Sequence, residues 1–312
     1  MARNDVLVSP YYRPDLVQIA TIIEMLSLMC LLIAVSFYLR IATRREFCHR
    51  NLLVLLLGHP CVHVSIMLLR ALRHLLFFLG YLGPISLKII NYVSDTCVST
   101  SFVIVLGYSI ERVVAMYYVH TYETMWTKRP TLGIGLFLWS ICYSAFLIGL
   151  WHMDILKNAM AYGTQMVMFA LTTLFFIYLR VRSGRIYRAV AEKKDSTVEE
   201  RYLSARNLKA AMLLMRLAPF KCVTNYFSFG IYFWCFEMNS PYYFPLYSAI
   251  YYTISQLQLY AQMLLTIYGH EVLKEEFMLY QKQFESAWGP VPESGPKGVK
   301  QKYWLSNNRV NV

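Results

Sequence analysis

Long apolar runs separated by mostly short polar links dominate the chain. An α-helix needs about 20 apolar residues to cross a hydrocarbon core about 30 Å thick. It can do so because its backbone polar groups are satisfied within the helix. Seven runs meet this requirement, and the predicted spans are residues 16–39, 52–69, 89–109, 131–150, 159–179, 217–236 and 244–268. The pattern predicts an all-α membrane protein, a bundle of seven transmembrane helices.

The polar parts of the chain lie at its two ends and in one long link. Residues 1–15 are polar and form the predicted extracellular N-terminus, and residues 16–268 form the transmembrane domain. Residues 269–312 are predicted as a cytoplasmic tail, whose segment 271–284 places apolar side chains against charged ones. Such a segment favours an eighth, amphipathic helix lying along the inner leaflet. In the link 180–216, Ser196 and Glu199 have capping-box spacing, which predicts that a helix begins there.

The distribution of positive charge gives the orientation. Cytoplasmic links of membrane proteins are enriched in Lys and Arg. Most of the 30 Lys and Arg fall in the links between spans one and two, three and four, five and six, and in the tail. The opposite side holds only Arg3, Arg13, Arg70, Arg73, Lys88 and Lys157. The N-terminus is therefore predicted to be outside and the tail in the cytoplasm.

Composition excludes several classes of function. The net charge of +12 could indicate nucleic-acid binding, but with 57% hydrophobic and 15% charged residues the cations lie in links between apolar runs. They do not form the basic face of a soluble fold, so no nucleic-acid partner is expected. No nucleophile–base pair, glycine-rich phosphate loop or metal quartet is visible in the sequence, and neither an enzyme nor a cofactor is predicted.

Glu24, His59, His63 and Lys221 are among the ionisable residues inside predicted spans, where charge is costly. Glu24 is expected to bond to a neighbouring helix rather than relay protons, and Lys221 is expected to reach the inner interface along its aliphatic stem. His59 and His63 have i, i+4 spacing and could bind a metal together, but no third ligand lies nearby in sequence.

The third span ends at the adjacent pair Glu111 and Arg112, on the side predicted to be cytoplasmic. The segment around it resembles the nematode serpentine chemoreceptors, in particular the Sre family. The resemblance rests on Glu111-Arg112-Val113-Val114-Ala115, on Tyr122-Glu123, on Lys128-Arg129-Pro130 and on Tyr202-Leu203-Ser204-Ala205-Arg206-Asn207-Leu208-Lys209. It implies a chemosensory G-protein-coupled receptor of the plasma membrane, in sensory neuron cilia. Glu111, Arg112, Tyr122 and Arg206 would then couple to a heterotrimeric G protein.

The predicted ligand site lies between the outer halves of the helices, where aromatic residues are frequent. Aromatic walls with a few polar groups suit a small odorant or pheromone. The candidate ligand contacts are Asn91, Asp95, Thr96, Gln165, Tyr232, Tyr247 and Tyr251. For Asp95 two roles remain open, contact with the ligand and a bond to a neighbouring helix.

A ligand-gated channel or a transporter of small solutes is the alternative interpretation. Such proteins contain interrupted helices, and His59-Pro60 and Pro219 are the places where the sequence suggests an interruption. A tag at the C-terminus distinguishes the two hypotheses, because an extracellular tag would reject the receptor.

Overall fold

The computed structural model describes residues 14–44, 48–118, 122, 129–192, 197–233 and 244–288. Nearly all of these residues are helical, and no strand occurs among them, which confirms the all-α prediction. The helices are α1 (Pro14–Arg44), α2 (Arg50–Phe78), α3 (Pro84–Tyr117), α4 (Thr131–His152), α5 (Asn158–Glu192), α6 (Val198–Phe233), α7 (Phe244–Gly269) and α8 (Glu271–Trp288).

Within the described ranges, five helices are long and apolar enough to cross a bilayer. These segments are Gln18–Arg44, Arg50–Phe78, Pro84–Tyr117, Thr131–His152 and Gly163–Glu192. The face of α1 turned away from its neighbours carries Ile22, Leu26, Met29 and Ile33, each more than half exposed. Their spacing of three and four residues places them on one stripe. An exposed apolar stripe of this length belongs in lipid, so the chain is a membrane protein.

The helices pack in a ring around α3. Helix α1 packs against α2 and α7, α7 against α6, and α6 against α5, while α3 contacts α2, α4, α5 and α6. The most apolar window of α3 is 61% buried, against 28% for the windows of α1, α4 and α5. Helix α3 is therefore the central helix, and its polar side chains face protein rather than lipid.

Helix α2 extends beyond its predicted end at residue 69. It continues through Arg70 and His74 to Phe78, so these two residues do not mark the end of the helix. Both are buried against Glu24 of α1. The prediction failed here because a cation with a buried acidic partner can stay inside a bundle.

The link predicted at 180–216 consists largely of helix. Helix α5 has 35 residues and is about 52 Å long at 1.5 Å per residue, which exceeds the core thickness of about 30 Å. Helix α6 begins at Val198, near the predicted capping box, although Ser196 lies outside the described residues. The predicted N-terminal segment 1–15 is described only from residue 14, and the tail only as far as residue 288.

The chain divides into two compact units, Met1–Lys274 and Glu275–Val312. The first contains α1 to α7 and the first turn of α8. The described part of the second, residues 275–288, is helical. The predicted amphipathic segment 271–284 thus falls within a helix.

Candidate functional site

A buried ion pair occupies the C-terminal end of α3. Glu111 is fully buried and Arg112 is 4% exposed. The Nε and one terminal nitrogen of Arg112 donate to the two carboxyl oxygens of Glu111. A two-point contact of this kind fixes the orientation of both groups, even though the residues are neighbours in the chain.

Tyr122 joins this pair from the link after α3. Its hydroxyl donates to Glu111, and its ring is 2% exposed. Burial and the Glu111 carboxylate raise the pKa of Tyr122 well above its usual value, so the hydroxyl keeps the proton that it donates. The Arg112 guanidinium lies 6.0 Å from the centre of the Tyr122 ring. Three residues predicted to act together are thus in mutual contact.

Asn51, at the start of α2, extends the network to α4. Its Nδ2 donates to the Tyr122 hydroxyl at 3.1 Å, and its Oδ1 accepts from the backbone N–H of Gly133 at 3.1 Å. A Cβ on Gly133 would lie 2.8 Å from the Asn51 Cα, so only glycine allows this approach of α2 and α4. Asn51, Glu111, Arg112, Tyr122 and Gly133 are called the inner network below.

The C-terminal part of α5 and the N-terminal part of α6 meet the last turns of α3 beside this network. The Oγ of Ser183 on α5 lies 3.8 Å from the sulfur of Met116. Asn207 of α6 donates from Nδ2 to the Ala115 carbonyl at 3.3 Å. Arg206 precedes Asn207, but its side chain lies outside the described part of the structure. Four helices and one link therefore converge on the C-terminal end of α3.

The predicted ligand residues of α3 make contacts with α4 and α5. An Oδ of Asp95 lies 3.1 Å from Nε2 of His152 on α4. Asp95 is thus bonded to a neighbouring helix, which was one of its two expected roles. Gln165 of α5 donates to Ser99 at 2.8 Å. Thr96 is buried and its hydroxyl has no hydrogen bond within the described residues, while Asn91 is half-buried one turn before Asp95.

The tyrosines of α7 belong to a different part of the bundle. Tyr251 is buried and its ring contacts the Tyr252 ring edge-on at 5.1 Å. The Arg70 guanidinium lies over the Tyr252 ring, 3.8 Å from its centre. Tyr247 is half-buried on the same helix, and the Tyr232 side chain lies outside the described part of the structure. The structure thus brings Tyr252, the neighbour of Tyr251, against Arg70 of α2.

A second buried charge cluster links α1, α2 and α7 and is called the Glu24 cluster. Glu24, 1% exposed, pairs with Arg70 through one carboxyl oxygen and with His74 Nε2 at 2.7 Å through the other. Arg70 also donates to Ser248 at 2.7 Å, and Thr21 lies 3.0 Å from the other nitrogen of His74. A buried carboxyl bonded to a neighbouring helix was predicted for Glu24.

Sequence reasoning missed the partners of Glu24 and the role of Asn51. Arg70 and His74 were assigned to a link, although their i, i+4 spacing and the apolar residues 75–78 indicate a helical face. Nothing in the sequence singles out Asn51, because its partners come from two distant segments. Lys221 is 3% exposed, so it lies within the bundle and does not reach the inner interface as expected.

Neither a metal site nor a known family is shown. No group of three or more His, Cys, Asp or Glu in the described part of the chain could hold a metal ion. No protein-family model matches the chain, and no curated protein is significantly similar to it. The likeness to nematode chemoreceptors thus rests on the motifs quoted above.

Proposed function

We propose that this protein is a chemosensory receptor that detects a small odorant or pheromone and activates a heterotrimeric G protein. The observation that carries the proposal is the inner network. It buries an ion pair at one end of the central helix, where four other helices and one link meet. In the proposed receptor this end is cytoplasmic, and the protein resembles the Sre family of nematodes.

The energetics of the inner network favour a switch over a simple brace. Replacing a buried ion pair by apolar residues of similar volume is often neutral or stabilising, so stability alone does not require Glu111 and Arg112. Their contacts connect two residues of α3 to the link and, through Asn51, to α2 and α4. A ligand that favours another arrangement of α3 would break these bonds together and expose Arg112.

The proposed topology adds α6 and α7 to the five apolar helices, for seven spans with the N-terminus outside. The basic links and tail then lie in the cytoplasm, where Lys and Arg are enriched. Residues of α5 and α6 beyond the core provide the surface for a G protein, Arg206 among them. The proposed location is the plasma membrane of sensory cilia.

The proposed ligand site lies on the outer side of α3, around Asn91, Asp95, Thr96 and Gln165. The buried hydroxyl of Thr96 has no partner in the described residues and is available to orient a polar group. Apolar helices around a few such groups favour a small, moderately polar molecule.

The test uses cells that express the full chain together with labelled Gα proteins. An odorant panel is applied to these cells, and recruitment of Gα to the receptor is measured. We expect Arg112→Ala to lose recruitment at equal surface expression. The matched control is Lys88→Ala, which removes an exposed cation from the other end of the same helix and should respond as wild type. Equal responses of Arg112→Ala and wild type would remove the role assigned to Arg112. An extracellular C-terminal tag, or odorant-evoked current without Gα recruitment, would reject the receptor in favour of a channel.

A further inference from the structure

The second half of α5 carries one continuous stripe of exposed side chains. They follow each other at spacings of three and four residues, which places them on one face of the helix: Leu171, Leu174, Tyr178, Val181, Arg185 and Arg188. The buried side chains of the same segment are Thr172, Phe176, Leu179 and Ser183. At 100° per residue these lie on the opposite face, so the stripe is turned away from the bundle.

Two contacts identify the helices that the buried side of α5 meets. The Oγ of Ser183 approaches the sulfur of Met116 on α3. The ring of Phe169 lies 6.0 Å from the ring of Tyr226 on α6, measured between centroids. The stripe therefore faces away from both α3 and α6. On a helix that crosses the membrane, such a face is in contact with lipid.

The stripe changes from apolar to basic along its length. From Leu171 to Val181, over about 15 Å of helix, its side chains are apolar or aromatic. Arg185 and Arg188 then continue the same face, and Arg182 stands three residues before Arg185. Tyrosine is enriched at the membrane interface and arginine is costly in hydrocarbon. The apolar part thus lies in the hydrocarbon core, and the three arginines lie at the depth of the lipid headgroups.

The three arginines are exposed and have no acidic partner in the described ranges. None of the ion pairs seen there includes Arg182, Arg185 or Arg188. Glu192, four residues after Arg188, is exposed and ends the basic part of the stripe. The arginines occupy six residues, about 9 Å of helix. Three positive charges this close together favour an anion with more than one negative charge.

The type of side chain indicates phosphate. A guanidinium group can donate to two oxygens of one phosphate in a fixed geometry, which the ammonium of lysine cannot do. A zwitterionic headgroup offers a single phosphate together with its own cation. An inositol headgroup with several phosphates offers one acceptor group for each arginine. Clusters of basic residues next to a membrane span are typical of sites for such lipids.

We propose that Arg182, Arg185 and Arg188 bind the headgroup of a polyphosphorylated inositol lipid, whose acyl chains lie along the apolar part of the stripe. A lipid is favoured over a protein partner because the basic part continues the face that is in contact with lipid. The inference goes beyond the proposed function. It requires only that α5 crosses the bilayer.

The test is titration of the purified, labelled full chain in detergent micelles, followed by thermophoresis at constant ionic strength. The probes are the dioctanoyl forms of phosphatidylinositol bisphosphate, phosphatidylserine and phosphatidylcholine, and the soluble headgroup inositol trisphosphate. The bisphosphate lipid should bind with the lowest Kd. Phosphatidylserine and the soluble headgroup should each bind at least about tenfold more weakly, since one has fewer charges and the other lacks acyl chains. Phosphatidylcholine should not compete with the bisphosphate lipid.

Variants locate the site on α5. Arg185→Gln should raise the Kd of the bisphosphate lipid about fivefold, and Arg182→Gln/Arg185→Gln/Arg188→Gln about a hundredfold. The corresponding triple Lys variant keeps the charge and loses the two-point contacts, so its Kd should lie between wild type and the triple Gln variant. This variant also tests the site should the triple Gln variant fail to fold.

The matched control is Lys209→Gln. It removes an exposed cation from α6, two residues after Asn207, which contacts the same end of α3 as Ser183 does. Its Kd should stay within about twofold of wild type, because Lys209 does not belong to the stripe. A loss equal to that of Arg185→Gln would show that only the total charge matters and would overturn the site.

Three further outcomes would overturn the assignment. They are equal Kd values for the bisphosphate lipid and phosphatidylcholine, an unchanged Kd in the triple Gln variant, and equal Kd values for the lipid and inositol trisphosphate. The last result would make the site one for a free phosphate compound. If the triple Gln variant bound the lipid as wild type does but lost Gα recruitment, the surface would belong to a protein partner instead.

Discussion

Breaking the Glu24 cluster from one side should cost more than removing it altogether. Arg70→Met deletes the guanidinium and leaves Glu24 with His74 as the partner at 2.7 Å. Removing one member of a buried ion pair costs about 3–5 kcal/mol. The remaining bond to His74 places the expected loss near the lower value, about 3 kcal/mol. For a chain of this size 1 kcal/mol corresponds to about 2 °C, so Tm should fall by about 6 °C.

The combined variant Glu24→Met/Arg70→Met should lose less than Arg70→Met alone. Both charges are then absent and the unbranched Met side chain fills most of the space, so we expect a Tm within about 3 °C of wild type. Thermal unfolding in lipid nanodiscs measures the wild type, the single variants Arg70→Met and Glu24→Met, and the combined variant. Lys88→Met, an exposed cation of α3, serves as a control and should shift Tm by less than about 1 °C.

Two results would refute this reasoning. If Arg70→Met unfolded within 1 °C of wild type, the ion pair would contribute little to the packing of α1 on α2. If the combined variant lost the sum of the two single losses, the residues would be uncoupled. Either result would show that the contact between Glu24 and Arg70 is not what keeps these charges inside the bundle.

Three further predictions concern α3, α4 and the link between them. Gly133→Ala should lower Tm by about 2–6 °C because its Cβ would meet the Asn51 backbone. Gly135→Ala, with nothing within 4 Å of the new Cβ, should be neutral or raise Tm by about 2 °C through helix propensity. Tyr122→Phe should lower Tm by about 2–6 °C, because a buried carboxyl loses a donor, and should raise basal Gα recruitment; an unchanged Tm would contradict the contact. Asp95→Asn should cost no more than about 2 °C, because the His152 side chain is 18% exposed and partly open pairs contribute little; a fall above 6 °C would contradict this.

The inner network shows how far a motif can be interpreted without a structure. Glu111 and Arg112 stand out because charge is rare in an apolar run, and Tyr122 was singled out by resemblance. That the three are in contact could not be deduced, since Tyr122 is reached only if the chain turns back after α3. Asn51 and Gly133 carry no signal of their own. Their roles come from the 3.1 Å bond between them, which depends on how closely α2 and α4 approach.

In α2, the rule that a basic residue after an apolar run ends the helix led to a wrong prediction. Arg70 and His74 follow an apolar run and were placed at the membrane boundary, yet helix α2 continues to Phe78. A cation is expected at the end of a span when hydration stabilises it more than any acidic side chain inside the bundle. Here Glu24 of α1 is the better partner, and the spacing of Arg70 and His74 allows both to reach it.

The sequence by itself determined that this is a helical membrane protein, because its apolar runs have the length that a helix needs to cross the hydrocarbon core. It also indicated which residues inside those runs are costly, since the cost of a charge in hydrocarbon is a property of the side chain. Only the tertiary structure decided which of these residues meet. Partner choice depends on the rotation and separation of helices distant in sequence, and neither quantity is encoded in any single run.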